Sequence, residues 1–240
     1  MKDPIKGFKN ALYPEGSITQ YFGKNKELYF KAVCYPSFDG YKNFGEQYCL
    51  EGHNGVDIVA PWGTPICAVE SGKIVDVKES EDGYGKHIRI LCSIKDSNLM
   101  REWAYGHLSK IDIKLGDFVE EGTQIGLMGN TGFVVSGSTP YWKYNPYAGT
   151  HLHLGLRIVE SYDANRFQKG IAVVYLNGNK AYVQNYNNGF YGAVDWIPLF
   201  IASQLEEIKI KVEKIAPKSI PTIMTIIGIF NNILKILGLK

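Results

Sequence analysis

Apolar and polar positions alternate with a period of two in several short stretches of this chain, which is the pattern of half-buried β-strands. Ser17–Gln20 reads as a short strand running into Phe22-Gly23. Residues 64–77, T-P-I-C-A-V-E-S-G-K-I-V-D-V, predict two short strands about the Ser71-Gly72 turn. Lys86–Leu91 and Glu102–His107 alternate as further strands. Residues 115–132, L-G-D-F-V-E-E-G-T-Q-I-G-L-M-G-N-T-G, carry a glycine every few positions and predict a compact β-corner. Thr150–Ile158 is another strand, and Ala172–Val183 around Asn177-Gly178 is a hairpin. Lys24–Leu50, aromatic and polar, predicts a long loop with one helical turn. The fold class is therefore mainly β.

From Ser203 the period changes to that of a helix, dividing the chain into 1–202 and a helical, apolar tail over 203–240. Gln204–Ile215 is charged and helical in pattern, and Pro217 and Pro221 interrupt it. Over 222–239, Ile223, Ile226, Ile227, Phe230, Leu234 and Leu237 recur at helical spacing, with Asn231, Asn232 and Lys235 off that stripe. Three readings of 222–239 stay open: packing on the chain's own domain or a second copy, lying on a membrane surface, or spanning one.

Composition narrows the function classes. With 240 residues, 45% hydrophobic and 21% charged, the chain is long enough for one substantial core and ordinary in polarity. A net charge of +2 gives no case for a nucleic-acid partner. Sixteen tyrosines and 26 glycines favour strands and tight turns, and tyrosines commonly line saccharide or peptide grooves. Cys34, Cys49, Cys67 and Cys92 form no C-x-x-C, which argues against cysteine-ligated zinc. Cys67 and Cys92 sit in apolar runs as buried thiols; Cys34 and Cys49 flank one loop, and their pairing stays open. Met1 precedes Lys2-Asp3-Pro4 with no apolar run, so the expectation is release by lysis, a phage particle or a dedicated export route, or a processed piece.

The histidines carry the chemistry. His53 and Asp57 form H-N-G-V-D, and His151 and His153 form H-L-H. In extended chain, positions two or four apart share a face, so two such strands facing one another can bring imidazoles and a carboxylate to one point. Zn²⁺ accepts those ligand types, and three of them leave a fourth position for water. His107, in A-Y-G-H-L, lies between the two pairs. His87 has no acidic or histidine neighbour at ligand spacing and reads as a structural or surface histidine.

Several motifs in order resemble the LytM/lysostaphin-type zinc metallopeptidases, which cut peptide bonds in bacterial cell-wall peptidoglycan. They are G-H-N-G-V-D-I-V-A-P-W-G-T-P-I (52–66), S-G-K-I-V (71–75), A-Y-G-H-L-S (104–109), G-D-F-V-E-E-G-T-Q-I-G (116–126), G-N-T-G (129–132) and T-H-L-H-L-G (150–155). The resemblance runs from about Ile18 to Arg157. It implies antiparallel β-sheets forming a groove, one Zn²⁺ per chain, and peptidoglycan as substrate. It implies His53, Asp57 and His153 as ligands, with His107 and His151 as a catalytic pair beside the metal; which of the two is the base stays open. Tyr105, two residues before His107, either orients substrate or packs in the core. A wall-binding or hydrolase-activating module, or a phage-particle component with little activity, is the alternative, although all five key positions are filled here. The sequence departs from the family pattern at Phe133–Gly149, inserted before H-L-H. Its Tyr141, Trp142, Tyr144 and Tyr147 either form a groove wall that stacks on stem peptide or glycan, or belong to a surface loop whose aromatics pack on the domain.

Overall fold

The structure is a computed structural model that describes Met1 and residues 3–5, 18–26, 34–36, 47–136, 139–161, 172–176, 179–186, 188–215 and 228. The chain forms two compact units, a larger one running to Asp195 and a smaller one from Trp196 onward. In chain order, β1 (Ile18–Gln20), β2 (Cys34–Pro36), β3 (Gln47–Cys49) and β4 (Val56–Ile58) come first. Next come β5 (Pro65–Cys67), β6 (Gly72–Lys78), β7 (Lys86–Ser93), β8 (Leu99–Ile111), β9 (Phe118–Val119) and β10 (Gln124–Met128). The short β11 (Val135–Ser136) and β12 (Thr139–Pro140) precede β13 (Leu152–Ser161), β14 (Ala172–Leu176), β15 (Asn179–Val183) and the helix α1 (Ile197–Ile215).

The main sheet runs β1-β4-β13-β8-β7-β6-β9, with β10 joining β8 to β5 and the β14–β15 hairpin attached to β13. Its neighbouring strands are antiparallel, so the mainly β expectation holds. β13 shows how alternation sorts the faces. Leu152, Leu154 and Leu156 point into the core, which also holds Ile88, Ile90, Trp103, Leu108 and Ile125. Burying side chains of this size contributes about 1.5–3 kcal/mol each. The opposite face of β13 carries His153, Gly155, Arg157 and Val159 in turn. It is a metal-type side chain at one end and an apolar cluster of Val159, Val75, Ala181, Val183 and Tyr186 at the other.

Between those ends lies a buried charge cluster. Glu102 on β8 accepts from Arg89 Nη1 on β7 at 2.6 Å and from Arg157 Nη2 on β13 at 2.6 Å. Burial alone would raise the Glu102 pKa; the two guanidinium charges and their hydrogen bonds outweigh it and lower it. The cluster ties together the strands that present His107 and His153.

Three local expectations are corrected. The long loop predicted over Lys24–Leu50 contains a two-stranded ribbon, β2 with β3, in which Cys34 and Cys49 are Cα partners. Non-local pairing, invisible to local composition, makes it. The two strands flanking Ser71-Gly72 do not pair with each other: β5 pairs with β10, and β6 with β7 and β9. The C-terminal helix starts at Ile197, ahead of the expected Gln204, with Pro198 tolerated in its first turn. The helical turn of the loop otherwise lies outside the described residues, as do the Asn177-Gly178 turn and the apolar stripe over 222–239. No described helix is long and apolar enough to cross a membrane.

Candidate metal centre and cleft

Asp57 and His153 are Cα partners in the antiparallel β4–β13 ladder, so they stand directly opposite on neighbouring strands. His53 arrives differently. It precedes β4 in a bend, not in extended chain, and folds back so that its Nε2 lies 3.1 Å from Asp57 Oδ1. The extended chain expected between His53 and Asp57 is therefore replaced by a turn, and a strand ladder sets Asp57 against His153. His53 Nε2 also lies 2.9 Å from His153 Nδ1, which is 3.1 Å from Asp57 Oδ1. Three donor atoms thus make a nearly equilateral triangle, with all three residues buried. Bonds of 2.0–2.1 Å in a tetrahedral zinc site set ligand atoms about 3.3 Å apart. The triangle matches that set to within a few tenths of an ångström, so these residues fit a divalent cation. A glycine permits the approach: a Cβ on Gly55 would lie 2.6 Å from both Cε1 and Nε2 of His153.

His107 owes its position to a β-bulge. In the β7–β8 register Lys86 pairs with Leu108 and Ile88 with Tyr105, so Gly106 and His107 together oppose His87. His107 sits at φ +62, and its N–H donates to Tyr84 O at 2.8 Å. Its Nδ1 lies 2.8 Å from Thr131 O, and a carbonyl can only accept, so Nδ1 carries the proton and Nε2 is left with its lone pair. His151 is held the same way, its Nδ1–H donating to Gly149 O at 2.7 Å, with Nε2 3.7 Å from Asp57 Oδ1. The His107 and His151 rings are 4.6 Å apart between centroids. All five residues anticipated from the motifs are brought together.

The same bulge separates Tyr105 from His107. Tyr105 is fully buried, and its hydroxyl accepts from Val69 N–H at 3.0 Å. Burial pushes its phenol well above the ordinary range. Tyr105 is a core residue and not part of the groove, because the extra residue in β8 breaks the alternation on which the shared face depended.

An open cleft of about 820 Å³ adjoins the site, with Asp57 and His151 in its lining. Val59, Pro61 and Trp62 line it from the segment after β4, Val134, Tyr147 and Gly149 from the 133–149 loop, and Thr150 just beyond it. Trp62 (46% exposed) and Tyr147 (65%) meet edge to face with centroids 5.6 Å apart. Tyr141, Trp142 and Tyr144 do not line this cleft, correcting their assignment as its wall. Trp142 donates through Nε1 to Gly132 O at 3.1 Å, and Tyr141 packs over Gly149 and against Tyr144. The loop is anchored by buried Asn130, whose Nδ2 donates to Ala148 O at 2.7 Å. The motif reading passed over Trp62, Asn54 and Thr131, although all three lie inside the motifs themselves. His87 lies apart from the metal cluster; it is buried, with Nδ1 bonded to Gly85 O and Nε2 3.5 Å from Asp76 Oδ2. Cys67 and Cys92 are buried as expected, and burial pushes the Cys92 thiol up to about 12.

Electrostatics suit the site to neutral imidazoles facing one carboxylate. Burial, then the neighbouring His151, holds His107 well below the usual histidine range. Burial likewise brings His153 down to about 4, against the opposing pull of Asp57. Burial alone would raise Asp57, but hydrogen bonds from His153 and His53 and the charge of His151 hold it well below the carboxylate range. His153 is therefore an uncharged imidazole and Asp57 a carboxylate at neutral pH, the forms in which these side chains bind a metal.

Fold and site together define a mainly antiparallel β-sheet protein with a buried His-Asp-His cluster that could hold a metal ion. Residues 51–170, half of the chain, match peptidase family M23, and the chain belongs to that family. It is 43% identical over 81 residues to lysostaphin of Staphylococcus simulans, covering 34% of this chain and 16% of lysostaphin. It is 34% identical over 119 residues to the peptidoglycan DD-endopeptidase ShyA of Vibrio cholerae, covering 50% of this chain and 23% of ShyA. The chain thus spans less than a quarter of the length of either relative. Among solved structures, the lysostaphin chain from S. simulans matches with a TM-score of 0.39 at 27% identity, over 63% of this chain and 45% of that one.

Proposed function

We propose that this chain is a zinc-dependent endopeptidase that hydrolyses peptide bonds of bacterial peptidoglycan. The observation that carries the reading is the His53–Asp57–His153 triangle with two further imidazoles beside it, in a chain of peptidase family M23. The names of relatives such as ShyA, a peptidoglycan DD-endopeptidase, support the substrate class.

His53, Asp57 and His153 would hold one Zn²⁺. Bound there, the ion supplies Lewis acidity that polarises a carbonyl and lowers the pKa of water. The chain's own groups do the rest. Thr131 O and Gly149 O fix the tautomers of His107 and His151, so each keeps an Nε2 lone pair to take up a proton and return it to the leaving amine. A protonated imidazole of the pair can donate a hydrogen bond to the developing oxyanion. The cleft lies against Asp57 and His151, where a peptide would be aligned.

The test is metal content together with release of soluble peptides from purified cell walls. Stoichiometric zinc and peptide release that stops on chelation is the expected result. Material that binds wall but neither holds zinc nor cleaves would instead make this a recognition module.

A further inference from the structure

Tyr84 lies in the turn between β6 and β7, in G-Y-G, and is half-buried. It is neither a metal-type ligand nor part of the cleft lining, yet it touches three parts of the site. Its ring packs against the His153 imidazole, with centroids 4.9 Å apart and planes 32° apart. Its hydroxyl accepts a hydrogen bond from Asn54 Nδ2 at 2.8 Å, next to His53 in sequence. Its backbone carbonyl accepts the His107 N–H at 2.8 Å and so closes the bulge that holds His107 at positive φ. The contact between ring and ligand is close because Gly106 leaves room. A Cβ there would lie 3.3 Å from Tyr84 Cδ1 and 3.4 Å from His153 Cβ. The Arg89 guanidinium carbon stands 5.7 Å from the ring centroid, and Arg89 is itself fixed by Glu102. The ring is thus held between the buried charge cluster and the metal corner.

We infer that Tyr84 is a positioning residue whose ring fixes the His153 imidazole, its hydroxyl steadying the 53–55 bend as a lesser contribution. The inference rests on the metallopeptidase reading above. A flat ring against an imidazole restricts rotation of the ligand in a way that a flexible aliphatic chain does not. Hydrogen-bonded outer partners of a metal ligand typically carry 10- to 100-fold in metal affinity or activity, and a packed ring is placed at the lower end of that range. Tyr84 lines no part of the cleft, so its loss should appear in turnover and metal binding and leave KM alone.

The experiment compares the full chain with Tyr84→Phe, Tyr84→Leu and Tyr84→Met, using Co²⁺ as a spectroscopic probe and cell-wall peptide release as the activity. The leucine and methionine variants should bind Co²⁺ about tenfold more weakly, change its visible absorption and lose about tenfold in kcat at unchanged KM. Tyr84→Phe keeps the ring and should stay within about threefold of the native chain throughout. Circular dichroism selects whichever aliphatic variant is folded. Aliphatic variants with native Co²⁺ affinity, spectrum and kcat overturn the inference, and so does a phenylalanine variant as damaged as they are. A native chain that takes up no Co²⁺ overturns the metallopeptidase reading itself, which separates the two failures.

Discussion

The metal corner and the cleft wall are adjacent but built on opposite terms. In the corner, His53, Asp57 and His153 are nearly excluded from water, and their donor atoms are fixed at 2.9–3.1 Å by a strand ladder and a bend. At the wall, Trp62 and Tyr147 stand about half or more exposed and meet each other through a single ring contact. A buried polar set works only if every partner is in place, because an unpaired group there costs the full desolvation penalty. An exposed aromatic pair tolerates change, since each ring is worth only about 0.5–1.5 kcal/mol beyond the area it buries. On the metallopeptidase reading proposed above, the corner sets whether the chain has chemistry, and the wall tunes what the chemistry is offered.

The largest expected effect separates ligand from catalyst. His53→Ala should lose the metal and all activity with it. His107→Ala should keep the metal, measured by elemental analysis, and lose on the order of 10²- to 10⁴-fold in kcat. Metal released from the His107 variant would show that the corner extends further than three residues. Gly55→Ala comes next, because its Cβ would meet the His153 ring at 2.6 Å. Zinc affinity should fall roughly 10- to 100-fold by competition with a chelating dye. Native affinity would mean that the bend gives way without disturbing its ligand.

Acid should act on the corner before the wall. The His153 pKa is lowered from an ordinary 6.5 to about 4, and that of His107 is lowered as well. As pH falls from 6.5 towards 4, the unfolded chain takes up protons that the folded metal-free protein refuses, so folding is progressively weakened. Above 6.5 both states are neutral at these rings and nothing is lost. Thermal melts of metal-free protein should therefore drop across that window, and a flat profile would contradict the buried, neutral imidazoles. The smallest effects belong to the wall. Trp62→Ala and Tyr147→Ala should each raise KM by roughly tenfold or less, with zinc stoichiometry unchanged. A loss of zinc in either variant would erase the distinction between the two regions.

Which side chains gather at the site was legible in the chain itself. Two histidine-bearing motifs, a third histidine between them and alternating strands around them were enough to name His53, Asp57, His107, His151 and His153, because ligand type and motif order are local properties. Tertiary structure alone decided how those residues meet. His53 arrives through a bend that Gly55 makes passable, and His107 through a bulge that appears only when β7 and β8 are paired. That bulge also sends Tyr105 into the core, against the period-two reading. The cleft wall was equally out of reach: Trp62 and Tyr147 are 85 positions apart in the numbering, and their ring contact exists only because two loops are carried to the same edge of the sheet. Spacing along a chain fixes which neighbours a residue can share a face with, while register, bulges and loop closure depend on partners far away in sequence.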